Sequence, residues 1–170
     1  MLIVIGGLHG TGKTTLARLL AARINAVHLR VDTIEQAIAR SGLAQHPVGP
    51  VGYVIGYALA EEHLRQGLTV IAESVNPLDV TRDSWQSAGV RAAVPVVEVE
   101  VICSDAHEHR GRVTTRSVDI PDLPLPDWQQ VRDHDYEPWS REHLVIDTAG
   151  QAPQQSLALL LDHLDHADGH

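Results

Sequence analysis

The sequence predicts an α/β fold of three layers, in which helices cover both faces of a five-stranded parallel sheet. Five short runs of mostly aliphatic residues alternate along the chain with segments of helical period. Strands that alternate with helices pair in parallel, because each helix carries the chain back across the sheet in a right-handed crossover. A chain of 170 residues has room for one such domain with a sizeable core, and not comfortably for two. We therefore expect residues 1–170 to form a single domain.

A glycine-rich segment joins the first strand, residues 2–5, to the first helix. Gly7, four further residues, and then Gly12, Lys13 and Thr14 make up the Walker A pattern. Glycines allow positive φ, so successive N–H groups can surround a phosphate, and the following helix adds its N-terminal dipole. Lys13 can reach the β- and γ-phosphates, and the Thr14 hydroxyl can ligate Mg²⁺. We predict a nucleoside-triphosphate site formed by Gly7, His9, Gly10, Thr11, Gly12, Lys13, Thr14 and Thr15.

The second strand, predicted for residues 26–32, ends in the carboxylate of Asp32, and residues 33–41 follow as a helix that Gly42 can terminate. Ligands of open parallel sheets bind beyond the carboxyl ends of the strands. A carboxylate there can orient an attacking hydroxyl or accept its proton. Asp32 also satisfies the preference for an N-cap residue, and one side chain can serve both purposes.

A loop at residues 44–50 precedes a helix predicted for residues 51–66, which Gly67 ends. Gly52 and Gly56, four positions apart, suggest close packing against a neighbouring element. The helices between Asp32 and Gly67 would shape a pocket for the second substrate. Their side chains, which include Tyr53 and Tyr57, are either pocket or core.

The third strand, predicted for residues 68–73, ends in Glu73. An acidic residue at this position can hold Mg²⁺ through water. Glu73 is otherwise a contact for the second substrate, or an ordinary charge at a strand end. Asn76 follows on a loop, as a substrate contact or as the start of a turn. A helix over residues 79–88 comes next.

The fourth strand is predicted for residues 94–102, with its real start delayed by Pro95. Asp105 and Glu108 then have the spacing of a capping box, which opens a helix running to Arg116.

Three arginines of this helix, Arg110, Arg112 and Arg116, precede an excursion at residues 117–126 that contains three prolines and no helical period. Phosphoryl transfer uses cations that arrive when a site closes. Arg112 and Arg116 lie four positions apart and share a helix face. We expect residues 112–128 to form a lid that brings one of them to the phosphates. An exposed helix face is the alternative.

Asp127 can cap a further helix that reaches Tyr136 and is ended by Pro138. The fifth strand is predicted for residues 143–147, and the terminal helix for residues 153–166.

Composition excludes several functions. The net charge of −9 argues against nucleic-acid partners, which require clustered Lys and Arg. No apolar run is long enough to span a membrane. A single cysteine, Cys103, excludes an internal disulfide framework and fits a reducing cytoplasm. The sequence does not indicate an oligomeric state.

Four segments together resemble small P-loop kinases of the nucleoside-monophosphate-kinase superfamily, in particular chloramphenicol phosphotransferase-like enzymes grouped with AAA-family ATPases. These segments are residues 7–15, 31–37, 70–73 and 103–116. The second resembles the phosphotransferase segment that contains the catalytic aspartate, here Asp32.

The resemblance implies a three-layer αβα P-loop NTPase fold with strand order 2-3-1-4-5 and a short lid. It implies ATP and Mg²⁺ as cofactors, with transfer of the γ-phosphate to a hydroxyl. Arg112 would contact ATP from the lid, and the loop containing Thr148 and Gly150 would lie beside the adenine.

The leading hypothesis is an ATP-dependent kinase whose acceptor is the hydroxyl of a small molecule, either an antibiotic or a metabolite. A nucleoside or nucleotide kinase is the alternative within enzymes, but its phosphate-binding arginines would have to be Arg40 and Arg65. A non-catalytic ATP-binding regulator is the alternative of another class.

Overall fold

The computed structural model describes residues 1–117 and 119–167. Within these residues it contains a five-stranded parallel sheet in the order β2-β3-β1-β4-β5, which confirms the predicted fold class. The strands are β1 Leu2–Gly6, β2 Val27–Arg30, β3 Val70–Glu73, β4 Val96–Ile102 and β5 Leu144–Asp147. The helices are α1 Lys13–Ile24, α2 Val31–Arg40, α3 Val51–Arg65, α4 Asp79–Arg91, α5 Ala106–Thr115, α6 Trp128–Arg132 and α7 Pro153–Ala167. None of them is both long and apolar enough to cross a membrane.

The core lies on both faces of the central strand β1, all of whose residues are buried. Ile3 and Ile5 pack with residues of α1 and α7 on one face. Leu2 and Val4 pack with residues of α3 and α4 on the other. Successive side chains of a strand point to opposite faces, so a strand covered on both sides is apolar throughout.

The register brings three chain segments together at the carboxyl end of the sheet. Glu73, the last residue of β3, pairs with Ile5 of β1 and with Arg30 of β2. The glycine-rich loop leaves β1 one residue after Ile5. The carboxyl ends of β1, β2 and β3 therefore meet directly below this loop.

The two helix glycines of α3 confirm the predicted close packing. A Cβ on Gly56 would lie 3.1 Å from the Trp85 ring, and a Cβ on Gly52 would lie 2.4 Å from Cγ of Glu35. Helices α2 and α4 can approach α3 because these positions carry no side chain.

The end of the second strand was predicted incorrectly. β2 ends at Arg30, and α2 begins at Val31. Asp32 therefore lies in the first helical turn, and the N-cap is Arg30, whose side chain makes no capping bond. The alternative role of Asp32 as N-cap is wrong. Pairing with β3 stops at Arg30 because β3 itself ends at Glu73, and Val31 turns into the core beside Trp85.

Two further local predictions are corrected. Asp127 caps α6 as expected, but this helix ends at Arg132 rather than at Tyr136. Beyond it, the Glu137 N–H donates to the Pro77 carbonyl at 2.8 Å, and the Glu137 carboxylate accepts from the Asp79 N–H at 2.6 Å. These tertiary bonds replace helical ones.

The capping box of α5 is half formed. Asp105 accepts from the N–H groups of His107 and Glu108. The Glu108 carboxylate turns away, to the Gly150 N–H and to Arg112.

Candidate functional site

The glycine-rich loop between β1 and α1 leaves no space for side chains at two positions. Gly7 has φ of 143°, and a Cβ there would lie 2.2 Å from the Val101 carbonyl oxygen. Gly10 has φ of 84°, and a Cβ there would lie 2.6 Å from the Val113 side chain. Both backbone conformations disfavour any other residue. The loop can therefore wrap closely around a bound group.

Lys13 begins α1, and its side chain is only 5% exposed. The Lys13 ammonium lies 3.4 Å from the Leu8 carbonyl oxygen, across the loop. Burial lowers the pKa of Lys13, while the carboxylates of Glu73 and Asp32 act in the opposite direction. The ammonium is thus held under the loop, close to two acidic side chains.

The Thr14 hydroxyl donates a hydrogen bond to Oε1 of Glu73. The other oxygen of Glu73 lies 2.8 Å from Nε2 of His28. Glu73 is 1% exposed, and burial would raise its pKa. The His28 hydrogen bond, the Lys13 charge and the Thr14 hydroxyl outweigh burial, so the net effect is a lowered pKa for Glu73. An ionised carboxylate and a hydroxyl beside the loop are oxygen donors of the type that Mg²⁺ prefers.

A cavity of about 580 Å³ lies in front of the loop. Its walls come from α1, the end of β2, the first turn of α2, α5, the segment after α5 and the loop after β5. The predicted site residues that line it are His9, Gly10, Gly12, Lys13, Thr14, Thr15, Asp32, Arg112, Arg116 and Thr148.

Arg112 is fixed in this cavity by two partners. Its guanidinium donates to the hydroxyl of Thr148 at 2.7 Å and to the carbonyl of Thr148 at 2.8 Å, and it pairs with Glu108 at 2.6 Å. The Thr148 hydroxyl in turn donates to the Thr11 carbonyl at 2.7 Å. This chain of bonds ties α5 and the loop after β5 to the glycine-rich loop.

Gly150 is not among the described residues that line this cavity. Its N–H donates to Glu108 at 2.8 Å, outside the wall that Thr148 forms.

Arg116 follows α5 in an extended conformation and also faces the cavity. One of its terminal nitrogens donates to the Pro126 carbonyl at 3.1 Å. Its Nε is buried and has no hydrogen-bond partner in the described part of the chain. Burial lowers the pKa of Arg116, although the Asp32 carboxylate raises it. Arg116 thus retains an unsatisfied donor beside Asp32.

Three charged residues of this cavity, Arg18, Arg30 and Asp119, were missed in the sequence. Oδ2 of Asp119 lies 2.6 Å from a guanidinium nitrogen of Arg18 and 2.6 Å from one of Arg30. Arg30 also lies 3.5 Å from Asp32 and 3.7 Å from Glu73. The one signal for Arg30 was its position two residues before Asp32. Asp119 comes from the proline-rich segment, and its spacing from Arg18 and Arg30 gave no signal.

A second cavity, of about 270 Å³, adjoins the first and shares His9 and Asp32 with it. Tyr53, one of the predicted substrate residues, lines it, and the Tyr53 hydroxyl accepts from the Asn76 N–H at 3.1 Å. Burial lowers the pKa of His9 to about 2, and the nearby Lys13 charge acts in the same direction. The imidazole between the two cavities is therefore uncharged at neutral pH.

The structure places two predicted substrate residues elsewhere. The Tyr57 ring packs edge-to-face on Trp85 at 4.5 Å, and its hydroxyl donates to the Thr81 carbonyl at 3.3 Å. Asn76 is fully buried, with its Cβ 3.2 Å from where a Cβ on Gly6 would lie. Neither residue lines either of the two cavities described above, since Tyr57 packs against Trp85 and Asn76 is fully buried. Glu73 is likewise under the loop and not in the second cavity.

A family model described as an AAA domain (AAA_33) matches residues 2–138. No curated protein sequence matches the chain.

Solved structures of small kinases share the fold. A candidate kinase from Chloroflexus aurantiacus J-10-fl superimposes with a TM-score of 0.74 at 22% identity, over 97% of this chain and 96% of its own. A sugar kinase from Janibacter sp. HTCC2649 gives 0.69 at 19% identity, over 96% and 94%. The APS kinase of Mycobacterium tuberculosis, solved with AMPPNP and APS, gives 0.62 at 14% identity, over 96% of both chains.

The solved structures confirm the predicted fold, and the family model confirms the resemblance to AAA-family ATPases. The family model extends from the first strand to beyond α6 and includes the glycine-rich loop, Asp32 and Glu73. The chain therefore belongs to the AAA_33 family of P-loop AAA domains.

Proposed function

We propose that this chain is an ATP-dependent phosphotransferase that moves the γ-phosphate of ATP to a hydroxyl of a small molecule. The observation that carries the proposal is the position of Asp32. Its carboxylate borders both the cavity in front of the glycine-rich loop and the smaller cavity beside it. A group at that border can contact a phosphate donor on one side and an acceptor on the other. The small kinases that share the fold support the same conclusion.

The triphosphate binds to the loop N–H groups and to Lys13. In a P-loop, backbone donors and the lysine ammonium together neutralise the β- and γ-phosphates. Thr14 and Glu73 would hold Mg²⁺, since both offer oxygen atoms directly below the loop. Bound there, Mg²⁺ would supply positive charge that offsets the negative charge of the phosphates.

Asp32 accepts the proton of the acceptor hydroxyl, or orients that hydroxyl towards the γ-phosphate. Arg116 is the cation for the transferred group, because this residue lines the same cavity as Asp32 and its Nε has no hydrogen-bond partner among the described residues. Arg112 is already bound to Thr148 and Glu108. We assign it to the nucleotide, with Thr148 beside the adenine; Gly150 supports that loop through Glu108.

We also propose that residues 1–170 form one kinase domain with a lid at about 112–128, of which Val118 lies outside the described residues. A single cysteine and a requirement for ATP support a cytoplasmic location.

The nucleotide-kinase alternative receives less support. Its two available arginines are engaged elsewhere: Arg40 donates to the Pro121 carbonyl at 2.6 Å, and Arg65 pairs with Glu61 on its own helix.

Acceptor dependence tests the proposal. ATP consumption by the purified chain with Mg²⁺ is measured alone and with a panel of hydroxyl compounds that includes sugars, amino sugars, nucleosides and antibiotics. We expect slow consumption alone and a large stimulation by one class, with formation of a phosphate ester visible by mass spectrometry. ATP binding without stimulation by any member would instead favour the regulator.

A further inference from the structure

We propose that the second cavity binds an acceptor with a protonated amine close to its hydroxyl, an amino sugar or a related amino alcohol, and that Glu35 recognises the amine. This inference deepens the proposed function and rests on it.

Glu35 and Asp32 lie three residues apart in the first half of α2, so they share one helix face. Both line the second cavity. Gly52 of α3 gives the Glu35 side chain its space, because a Cβ at this position would lie 2.4 Å from Cγ of Glu35 and 3.0 Å from Oε1. The fold thus holds two carboxylates against one small cavity.

The two carboxylates differ in their partners. Asp32 has Arg30 at 3.5 Å. Glu35 has no hydrogen-bond or ion-pair partner within residues 1–117 and 119–167, although it is partly buried. Burial, reinforced by the Asp32 charge, raises the pKa of Glu35 to about 7. A partly buried carboxyl without a partner is costly when ionised, and a bound cation removes that cost.

The other groups around the cavity favour the same ligand charge. No Arg or Lys of the described residues lines it; its polar wall consists of Asp32, Glu35, Tyr53 and the histidines His9, His46 and His134. Nε2 of His46 lies 2.7 Å from Oε1 of Gln36, and the Gln36 amide nitrogen donates to the Pro121 carbonyl. The amide oxygen of Gln36 can only accept, so Nε2 of His46 is the donor in this hydrogen bond. An anionic acceptor would meet two carboxylates and, among the described residues that line this cavity, no Arg or Lys.

The size of the second cavity and the chemistry of its walls narrow the class of acceptor further. About 270 Å³ is slightly below the range of drug-sized pockets, roughly 300–1,000 Å³. The remaining wall is apolar and includes Leu123, Pro124 and Pro126 from the lid segment. A single saturated ring with an apolar C–H face and polar substituents matches such a cavity. The hydroxyl beside the amine then lies near Asp32, at the border with the phosphate site.

Two matched series test the charge preference. Glucosamine is compared with glucose and glucose 6-phosphate, and 2-deoxystreptamine with myo-inositol and inositol monophosphate. Binding to the whole chain with Mg²⁺ and AMPPNP is measured by calorimetry. We expect the cationic member of at least one series to bind roughly tenfold to a hundredfold more tightly than its neutral counterpart, since hydrogen bonds to charged groups contribute that much. We expect the phosphorylated member to bind most weakly.

Glu35→Gln should remove this preference while AMPPNP binding is unchanged. The exposed Glu62 of α3 provides the matched control: Glu62→Gln should keep the preference. The inference is overturned if no cationic compound binds, if neutral or phosphorylated members bind as tightly, or if Glu35→Gln keeps the preference. Glu35-dependent amine binding without amine-stimulated ATP consumption would overturn the kinase proposal and leave the amine site. Turnover stimulated by neutral acceptors alone would overturn only the amine site.

Discussion

Asp32 is the residue at which chemistry and folding can be separated most cleanly. Its side chain does not cap α2, because the N-cap position is Arg30. We therefore expect Asp32→Asn to leave the free energy of unfolding close to that of the wild type and to keep AMPPNP affinity. Loss of a general base typically lowers a rate by roughly two to four orders of magnitude. With a stimulating acceptor, kcat of Asp32→Asn should fall within that range.

The control for this variant is Asp83→Asn, which removes a carboxylate from the exposed surface pair with Arg141. It should leave kcat unchanged. A loss below about tenfold in Asp32→Asn would mean that Asp32 orients the acceptor without taking its proton.

Glu35 makes stability depend on pH in a direction opposite to most carboxylates. Burial, and after it the Asp32 charge, disfavour the charged form and raise its pKa in the folded chain from the ordinary 4.5 to about 7. The folded state therefore holds the proton more tightly than the unfolded state. The free energy of unfolding therefore falls as pH rises from about 4.5 to about 7, and it stays at the lower value above that range.

We accordingly expect Glu35→Gln to stabilise the ligand-free chain at about pH 8 by about 1–2 kcal/mol, after allowance for partial solvent screening. At about pH 4, below both pKa values of Glu35, the two proteins should have nearly the same free energy of unfolding. Urea unfolding at both pH values measures the difference. If the free energies of unfolding of the two proteins differ equally at both pH values, the pKa of Glu35 is not raised in the folded chain.

At the scale of elements, the sequence predicted each strand and helix but misplaced some ends. The position of β4 followed from its apolar run and Pro95, both of which are local signals. The end of β2 depends instead on where its neighbour β3 stops, and the end of α6 depends on bonds from Glu137 to residues 77 and 79. Such ends are decided by contacts distant in sequence, which a single sequence does not reveal.

In the lid segment, residues 112–128, most described side chains are at least partly exposed, and the buried ones are Val113 and Ile120. Asp119 pairs with Arg18 and Arg30, and the Pro121 carbonyl accepts from Gln36 and Arg40. Elements held in this way open at low free energy. We expect hydrogen exchange of this segment to slow when Mg²⁺ and AMPPNP bind, and to slow further with an acceptor. Strand β4, whose residues are mostly buried, should not change.

The substitution Arg116→Ala tests whether closure of the lid segment brings this arginine to the transferred phosphate. If Arg116 contacts the transferred phosphate chiefly in the transition state, kcat should fall by roughly 10²-fold while AMPPNP affinity changes little. Arg110, which is exposed on α5, gives the control, and Arg110→Ala should keep both kcat and AMPPNP affinity. If hydrogen exchange of residues 112–128 is the same with and without ligand, this segment is not a lid.

At the scale of the whole molecule, the fold was predictable because its signals repeat: five apolar runs, their alternation with helices and one loop pattern. The two cavities were not predictable. Asp119 faces Arg18 and Arg30, which lie 101 and 89 residues away along the chain. The Glu35 side chain fits only because Gly52, on a different helix, has no side chain. The P-loop residues were recognisable because they are contiguous, whereas the acceptor site is assembled from segments that only the folded sheet brings together.

Ligand binding should stabilise the whole domain, since the phosphate site joins β1, α1, α2, β3 and α5. At a concentration about a hundred times its Kd, a ligand that binds only the folded state contributes about 2.7 kcal/mol. For a chain of 170 residues this corresponds to a rise in Tm of about 5–10 °C. We expect AMPPNP with Mg²⁺ to produce a rise of this size, and EDTA to reduce it, because Thr14 and Glu73 then hold no cation.

In Lys13→Ala, AMPPNP with Mg²⁺ should no longer raise Tm. The Tm of the ligand-free variant should stay near or above that of the wild type. The Lys13 ammonium is desolvated by burial, so its removal relieves a cost in the ligand-free chain. It also deletes the side chain that reaches the β- and γ-phosphates. Scanning calorimetry of both proteins, with AMPPNP and with or without EDTA, makes the comparison. A rise of equal size in Lys13→Ala would place the nucleotide somewhere other than the glycine-rich loop.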